Sequence, residues 1–300
     1  MDIRTGTAKS GDLDIFYEDM GDVNDPAVLL IMGLGGQLLF WRDGFCERLV
    51  NQGFRVIRYD NRDIGLSSKL EGHDTDAKLL PRLLRFQFGL RNEAAYTLED
   101  MADDAAALLD HLQIEKAHVF GGSMGGMIAQ IFAARYHHRT KTLGVIFTSN
   151  NQALLPLPAL KQMQAATTRS KDPSRDGVIA NSVRTARILG SPGYPASEDQ
   201  MLADATESYE RSYNPDGVTR QYNAMLGSGS LLRYDKQITA PTVVMHGRAD
   251  KMMRPTCGHA VAKAIRGSRW VTFDGMAHDL PEPLWDDIIG ELKINFSKVP

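Results

Sequence analysis

The chain predicts an α/β fold: a mostly parallel, doubly wound sheet with helices on both faces and a helical cap inserted into it. Three observations carry this expectation. Short apolar runs alternate with helix-patterned stretches up to residue 149 and again from residue 237. One of those runs, Ala27 to Met32, is apolar throughout, as a parallel strand buried on both faces must be. Residues 150–236, between the two halves, hold no clear buried strand. The domain reading is therefore a core of residues 1–149 and 237–300 with a cap, or lid, of residues 150–236.

In chain order, Leu13 to Tyr17 reads as a strand, and Asp22 to Pro26 as a turn whose residues bond their own backbone or fix φ. Ala27 to Met32 ends in Gly33-Leu34-Gly35-Gly36, where backbone can approach a ligand closely. Phe45 to Gln52 reads as a helix closed by Gly53, Phe54 to Tyr59 as a strand, and Asp60 to Ser67 as a polar turn at its carboxyl end. Leu79, Leu83, Phe86 and Leu90 then recur at helical spacing beside Lys78, Arg82 and Arg85. This pattern reads first as a helix packed on the cap with solvated basic residues. The alternative is weak contact of residues 78–91 with an anionic lipid surface.

Thr97 caps a strong helix whose stripe is Leu98, Met101, Ala105, Leu108, Leu109 and Leu112, with acidic residues at its start. A strand at Ala117–Phe120, a helix from Met127 to Tyr136 and a strand at Leu143–Thr148 follow. The cap shows helix-like stretches at 159–168, 177–189 and 198–213, and Gly227-Ser228-Gly229-Ser230 reads as its flexible end. A strand at Pro241–His246, a helix at Thr256–Ile265, a strand at Trp270–Phe273 and a helix at Pro283–Phe296 complete the core.

A net charge of -3 over 300 residues leaves no electrostatic footprint for nucleic acid. Cys46 and Cys257 form no CxxC pair, and neither they nor the eight histidines show metal-ligand spacing. A dinucleotide fingerprint fails because Leu38 stands where G-x-G-x-x-G needs its third glycine. No cofactor and no metal are expected. Met1 to Gly11 is polar and no eighteen apolar residues run together, so the expectation is a soluble, cytoplasmic protein.

The chemistry centres on Gly121-Gly122-Ser123-Met124-Gly125-Gly126, between an apolar run and a helix-like run. Gly-x-Ser-x-Gly between a strand and a helix is a nucleophile elbow, in which a strained turn lifts the serine oxygen above the sheet. A serine needs a base, and the base needs a group to hold its tautomer. The elbow predicts the order serine, acid, histidine, each partner just after a strand. Asp250, in His246-Gly247-Arg248-Ala249-Asp250, and His278, in Gly275-Met276-Ala277-His278, fit that order and placement. His246 is the rival base, but it precedes the acid. Asp274 and Asp279 are the other carboxylates near His278. The backbone N–H groups of Met124 and Leu34 are the expected oxyanion donors. Phe40, Trp41 and Leu154–Leu160 are candidates either for an apolar acyl pocket or for core packing.

These motifs, with Arg58–Ser67 and Tyr96–Ala102, resemble the α/β-hydrolase superfamily along nearly the whole chain. Their wording is most similar to mycobacterial lipase/esterase proteins and to the aclacinomycin methylesterase group. The resemblance implies an eight-stranded sheet with a cap, and a serine hydrolase of carboxylic esters; the expected substrate is a small-molecule ester or thioester, its acyl group apolar if Phe40, Trp41 and Leu154–Leu160 line the pocket. Relatives such as haloalkane dehalogenases and epoxide hydrolases carry aspartate at the elbow and are excluded by Ser123. Carbon–carbon bond hydrolases, perhydrolases and non-enzymatic receptors share the fold and stay open. In one departure, Met32-Gly33 stands where many relatives have His-Gly.

Overall fold

A computed structural model describes residues 2–71, 79–88 and 90–299. Strands β1 (Ile3–Ser10), β2 (Leu13–Met20) and β3 (Ala27–Ile31) are followed by α1 (Asp43–Val50), β4 (Arg55–Tyr59), α2 (Leu79–Gln87) and α3 (Leu98–His111). Then come β5 (Ala117–Gly122), α4 (Met124–Arg135) and β6 (Thr140–Ile146). Helices α5 (Leu160–Thr167), α6 (Arg175–Leu189), α7 (Glu198–Arg211), α8 (Pro215–Ser228) and α9 (Leu232–Asp235) intervene before β7 (Thr242–Gly247). Helix α10 (Pro255–Ala264), β8 (Arg269–Phe273) and α11 (Trp285–Phe296) close the chain.

The eight strands form one sheet in the order β1-β2-β4-β3-β5-β6-β7-β8. Only β2 runs antiparallel to its neighbours β1 and β4; every other pairing is parallel. Helices α3 and α4 pack on one face with Leu29, Ile31 and Val119, while α1 and α11 pack on the other with Val28, Leu30 and Phe120. Each face has its own core, which is why β3 and β5 are buried at every position. In α11, Ile288, Leu292 and Phe296 are buried on one stripe, each contributing about 1.5–3 kcal/mol.

Register fixes where the chemistry can be. Ile31 pairs with Gly121 and Gly122 with Ile146, so the glycine loop after β3, the elbow after β5 and the turn after β6 share one sheet edge. Gly247 pairs with Phe273, which brings the loops bearing Asp250 and His278 side by side at that edge. No helix among the described residues is long and apolar enough to cross a membrane.

The structure departs from the sequence reading in three places. Strand β1 lies in the stretch read only as polar: it forms a hairpin with β2 around Gly11 (φ +56°), and most of its side chains are exposed, so no apolar alternation marks it. Gly227 and Ser228 are the buried last turn of α8, not a flexible end. Ser228 Oγ accepts from Leu98 N–H at 2.8 Å and donates to Ala224 O, which locks α8 to the start of α3. The third departure is Arg82 in the basic stripe, whose Arg85 is exposed as read. Lys78 lies outside the described residues, but Arg82 is buried, donating to Asn223 Oδ1 and to Glu93 O at 2.7 Å. Leu84, Phe88 and Leu90 are exposed instead. Neither a solvated nor a lipid-facing Arg82 survives, so a charge reversal there would report on burial.

Where the chain leaves β6 and returns to β7, Asn150 Nδ2 donates to Asp235 Oδ2 at 2.8 Å, and Leu231 N–H donates to Asn150 O. The other Asp235 oxygen is buried without a partner. Burial pushes this carboxyl up to about 7, against the Asn150 hydrogen bond. A raised carboxyl holds its proton in the folded state while the unfolded chain has lost it. Stability therefore falls as pH rises from about 4 towards 7, at about 1.4 kcal/mol per unit at most. Asp235→Asn is expected to raise the unfolding midpoint strongly at pH 8 and only slightly at pH 4, measured by chemical denaturation at both pH values. An equal effect at the two would contradict a buried neutral acid.

Candidate active site

Strand β5 delivers Ser123 into a sharp turn with φ +54° and ψ −123°, a conformation that costs a non-glycine residue on the order of 1–3 kcal/mol. The turn is possible because its neighbours lack side chains. A Cβ on Gly121 would stand 2.3 Å from Gly125 O, and one on Gly125 would stand 2.1 Å from Ile31 O. Four hydrogen bonds then hold the strained residue: Ser123 N–H donates to Ile146 O, while Gly126 N–H, Met127 N–H and Thr148 Oγ1 donate to Ser123 O, the last at 2.6 Å.

The sequence-predicted partners converge on this serine. His278 Nε2 lies 3.0 Å from Ser123 Oγ, and His278 Nδ1 lies 2.8 Å from Asp250 Oδ2. A carboxylate only accepts, so Asp250 keeps the ring proton on Nδ1 and leaves Nε2 to accept from the serine hydroxyl. The other Asp250 oxygen accepts the Met252 and Met253 N–H groups at 2.8 and 2.9 Å. Burial alone would raise this carboxyl, but the charge of His278 and the hydrogen bonds from His246 and His278 outweigh it and hold it at about 2. Asp250 is thus ionised at any ordinary pH.

The rival residues are occupied elsewhere. His246 is fully buried, with Nε2 2.8 Å from Met253 O and 3.5 Å from Asp250 Oδ2, behind the acid and away from the serine. Asp274 pairs with Arg248 at the surface, and Asp279 hydrogen-bonds to Ser191. The Leu34 and Met124 N–H groups have no acceptor among the described residues. Gly33 packs against the elbow, with room for a Cβ only 2.9 Å from Ser123 Cβ. Despite Met32 in place of histidine, the loop is well anchored: Asn61 Nδ2 donates to Met32 O at 2.7 Å, Gly35 N–H to Gln221 Oε1 at 2.9 Å, and Leu38 N–H to Asp60 Oδ1 at 2.8 Å.

A cavity of about 1060 Å³ opens beside His278, between the residues after β3 and helices α6 and α7. Phe40, Tyr194, Met201, Met252 and Leu280 are on its wall, with Gln37 and the Arg42–Asp204 ion pair as polar elements. Of the pocket candidates, Phe40 lines this cavity. Trp41 does not: it is fully buried against Phe45 and Phe120. Leu154, Leu157 and Leu160 are exposed and line no part of it. Sequence reasoning missed Thr148 and Phe147. Phe147 has φ +38° and its ring lies 5.0 Å from that of His278. Positive φ at an aromatic residue has no signal in the sequence.

Residues 26–282 match the family described as the alpha/beta hydrolase fold. The chain belongs to the α/β-hydrolase family. The rhodomycin D methylesterase of Streptomyces peucetius is 28% identical over 91% of this chain and 93% of its own length. The bifunctional esterase/perhydrolase of Acinetobacter calcoaceticus is 23% identical, with 92% of each chain covered. An esterase from Rhodococcus sp. ECU1013 superposes with a TM-score of 0.74 at 17% identity, over 100% of both chains, a likeness of fold. This α/β hydrolase thus has esterase and methylesterase relatives, as its motifs implied.

The close approach of β3 and α4 can be tested directly. Gly125→Ala is expected to destabilise the protein by about 3 kcal/mol or more in chemical denaturation, because the obstacle is backbone and cannot swing away. Gly290→Ala, in α11 with open space around it, is expected to be neutral or up to about 1 kcal/mol stabilising. Equal stability of the two variants would contradict the packing described.

Proposed function

We propose that this protein is a serine esterase that cleaves carboxylic esters through an acyl-enzyme on Ser123. The observation that supports this most is the hydrogen-bonded chain Ser123 Oγ, His278 Nε2, His278 Nδ1, Asp250 Oδ2, beside an open cavity. Ser123 Oγ attacks the ester carbonyl carbon while its proton passes to His278 Nε2. Asp250 stabilises the imidazolium that forms. The tetrahedral oxygen takes the full negative charge and is met by the Leu34 and Met124 N–H groups, each worth about 2.7–4 kcal/mol in such a role. Collapse breaks the bond to the alkoxy group, which leaves with the proton from Nε2. Water then enters and gives a proton to Nε2 as it attacks; the bond from the acyl carbon to Ser123 Oγ breaks, Nε2 returns that proton to the serine oxygen, and the acid leaves.

The helices between β6 and β7 act as a cap in this reading. Helices α6 and α7 wall the cavity, and its volume suits an acid far larger than acetate. The methylesterase relative favours a small alcohol on a large acyl group, so methyl esters of bulky, largely apolar acids are the substrates to try first. Thioesters and carbon–carbon bonds would meet the same serine, and a substrate panel separates them.

Ser123→Ala and His278→Ala are expected to cut p-nitrophenyl ester turnover by several orders of magnitude without unfolding the chain. Asp250→Asn is expected to cost about 10⁴-fold in kcat, by presenting the wrong partner to Nδ1–H. His246→Ala should keep the chemistry, since its hydrogen bond goes to Met253 O and it makes none to Ser123. Turnover rates of the purified variants at neutral pH check all of these. A Ser123→Ala variant with a tenth of wild-type activity would remove the serine from the mechanism.

A further inference from the structure

The backbone on both sides of the His278 side chain is held by the helical insertion. Ala277 N–H donates to Ser191 Oγ at 2.8 Å, and His278 N–H donates to Leu189 O at 3.1 Å. Ser191 returns two bonds: its N–H donates to Asp279 Oδ2 at 3.1 Å and its hydroxyl donates to Asp279 Oδ1. Nearby, Gly193 N–H donates to Gly275 O at 2.9 Å, and a Cβ on either glycine would come within 3 Å of the other's Cα. Ser191 is only 2% exposed. Burial raises the Asp279 carboxyl above the usual carboxylate range, and the Ser191 hydrogen bonds oppose that rise.

Five hydrogen bonds join the end of α6 and the residues just after it to residues 275–279. Three of them involve one serine hydroxyl or its own amide, and all fall within four residues of the imidazole. A shift of this loop would move Nε2 relative to a serine that the elbow holds rigidly. Outside the clasp, the imidazole is held by its Nδ1 bond to Asp250 and flanked by the Phe147 ring, while the loop backbone is held at Met276 O, which accepts from Ala249 N–H.

We propose that Ser191 and Asp279 are positioning residues, a clasp from the end of α6 that sets where the His278 imidazole stands between Ser123 and Asp250. The inference rests on His278 serving as the base for Ser123. It also assigns the parts that stay still. The loop after α6 cannot swing away as a lid without releasing the base, so the clasped end of the insertion remains closed through turnover. Substrate entry then belongs to the other side of the cavity.

The test compares Ser191→Ala, Asp279→Asn and the double variant with Ser174→Ala, and uses Ser123→Ala as the baseline. Ser174 accepts from Gly177 N–H at the far end of α6, so its loss weakens the same helix without touching the clasp. For each, kcat and KM on a p-nitrophenyl ester and the thermal midpoint are measured. Each clasp variant is expected to lose roughly 10- to 100-fold in kcat with KM within about threefold of wild type. The double variant should be little worse than the poorer single, because both substitutions break one unit. Ser174→Ala should lose thermal stability and keep its kcat. Wild-type kcat in both clasp variants, or kcat losses that follow the thermal midpoint across all variants including Ser174→Ala, would overturn the proposal. If Ser191→Ala does not fold, the near-isosteric Asp279→Asn decides alone. An active Ser123→Ala would instead overturn the serine reading, and the stated role of the clasp with it.

Discussion

The contact on which the rest of the molecule depends is the approach of the first turn of α4 to the end of β3, where Gly125 lies against Ile31 O. It permits a serine at φ +54°, which no strand or helix would place above the sheet. Everything nearby compensates for that strain. Ile146 O and the Thr148 hydroxyl bond to the serine backbone, and Gly33 packs against its Cβ. Strain of this kind persists only where surrounding packing over-determines it. The elbow is therefore a property of three adjacent strands, not of five residues.

A second set of contacts ties the helical insertion to that frame. Arg220 from α8 makes a bidentate pair with Asp63, which also accepts the Tyr96 hydroxyl; Arg211 from α7 pairs with Asp60 at 2.7 Å. Both carboxylates are fully buried in the turn after β4. Buried pairs of this sort add little net stability, because desolvation offsets the attraction, but losing one partner typically costs about 3–5 kcal/mol. Their effect here is geometric. Asp60 also orients the loop after β3, so the inserted helices and the loop that bears Leu34 share one anchor.

Much of this was legible from the residues alone. The all-apolar run of β3, the Thr97 capping box with Asp100 and the glycine spacing around Ser123 each have a local cause, and local causes leave a pattern. The order and strand-end placement of Asp250 and His278 follow from topology that a repeated strand–helix rhythm implies. What could not be read lacks such a pattern. Strand β1 buries too little to alternate. The basic stripe of α2 looks like a solvated face until Arg82 is seen to reach Asn223, 141 residues away. Phe147 and Ser191 act through contacts with residues more than 80 positions distant, or through a backbone angle, and neither leaves a mark in sequence.

The central claim is that one serine forms the covalent bond, and a phosphonate ester probe tests it most directly. Such a probe mimics the tetrahedral intermediate and stays attached to the oxygen that attacks it. Wild-type protein treated with the probe, digested and mapped by mass spectrometry should carry a single adduct on Ser123, and labelling should collapse in His278→Ala. An adduct on another residue, or turnover of esters by a protein that the probe never labels, would contradict the account.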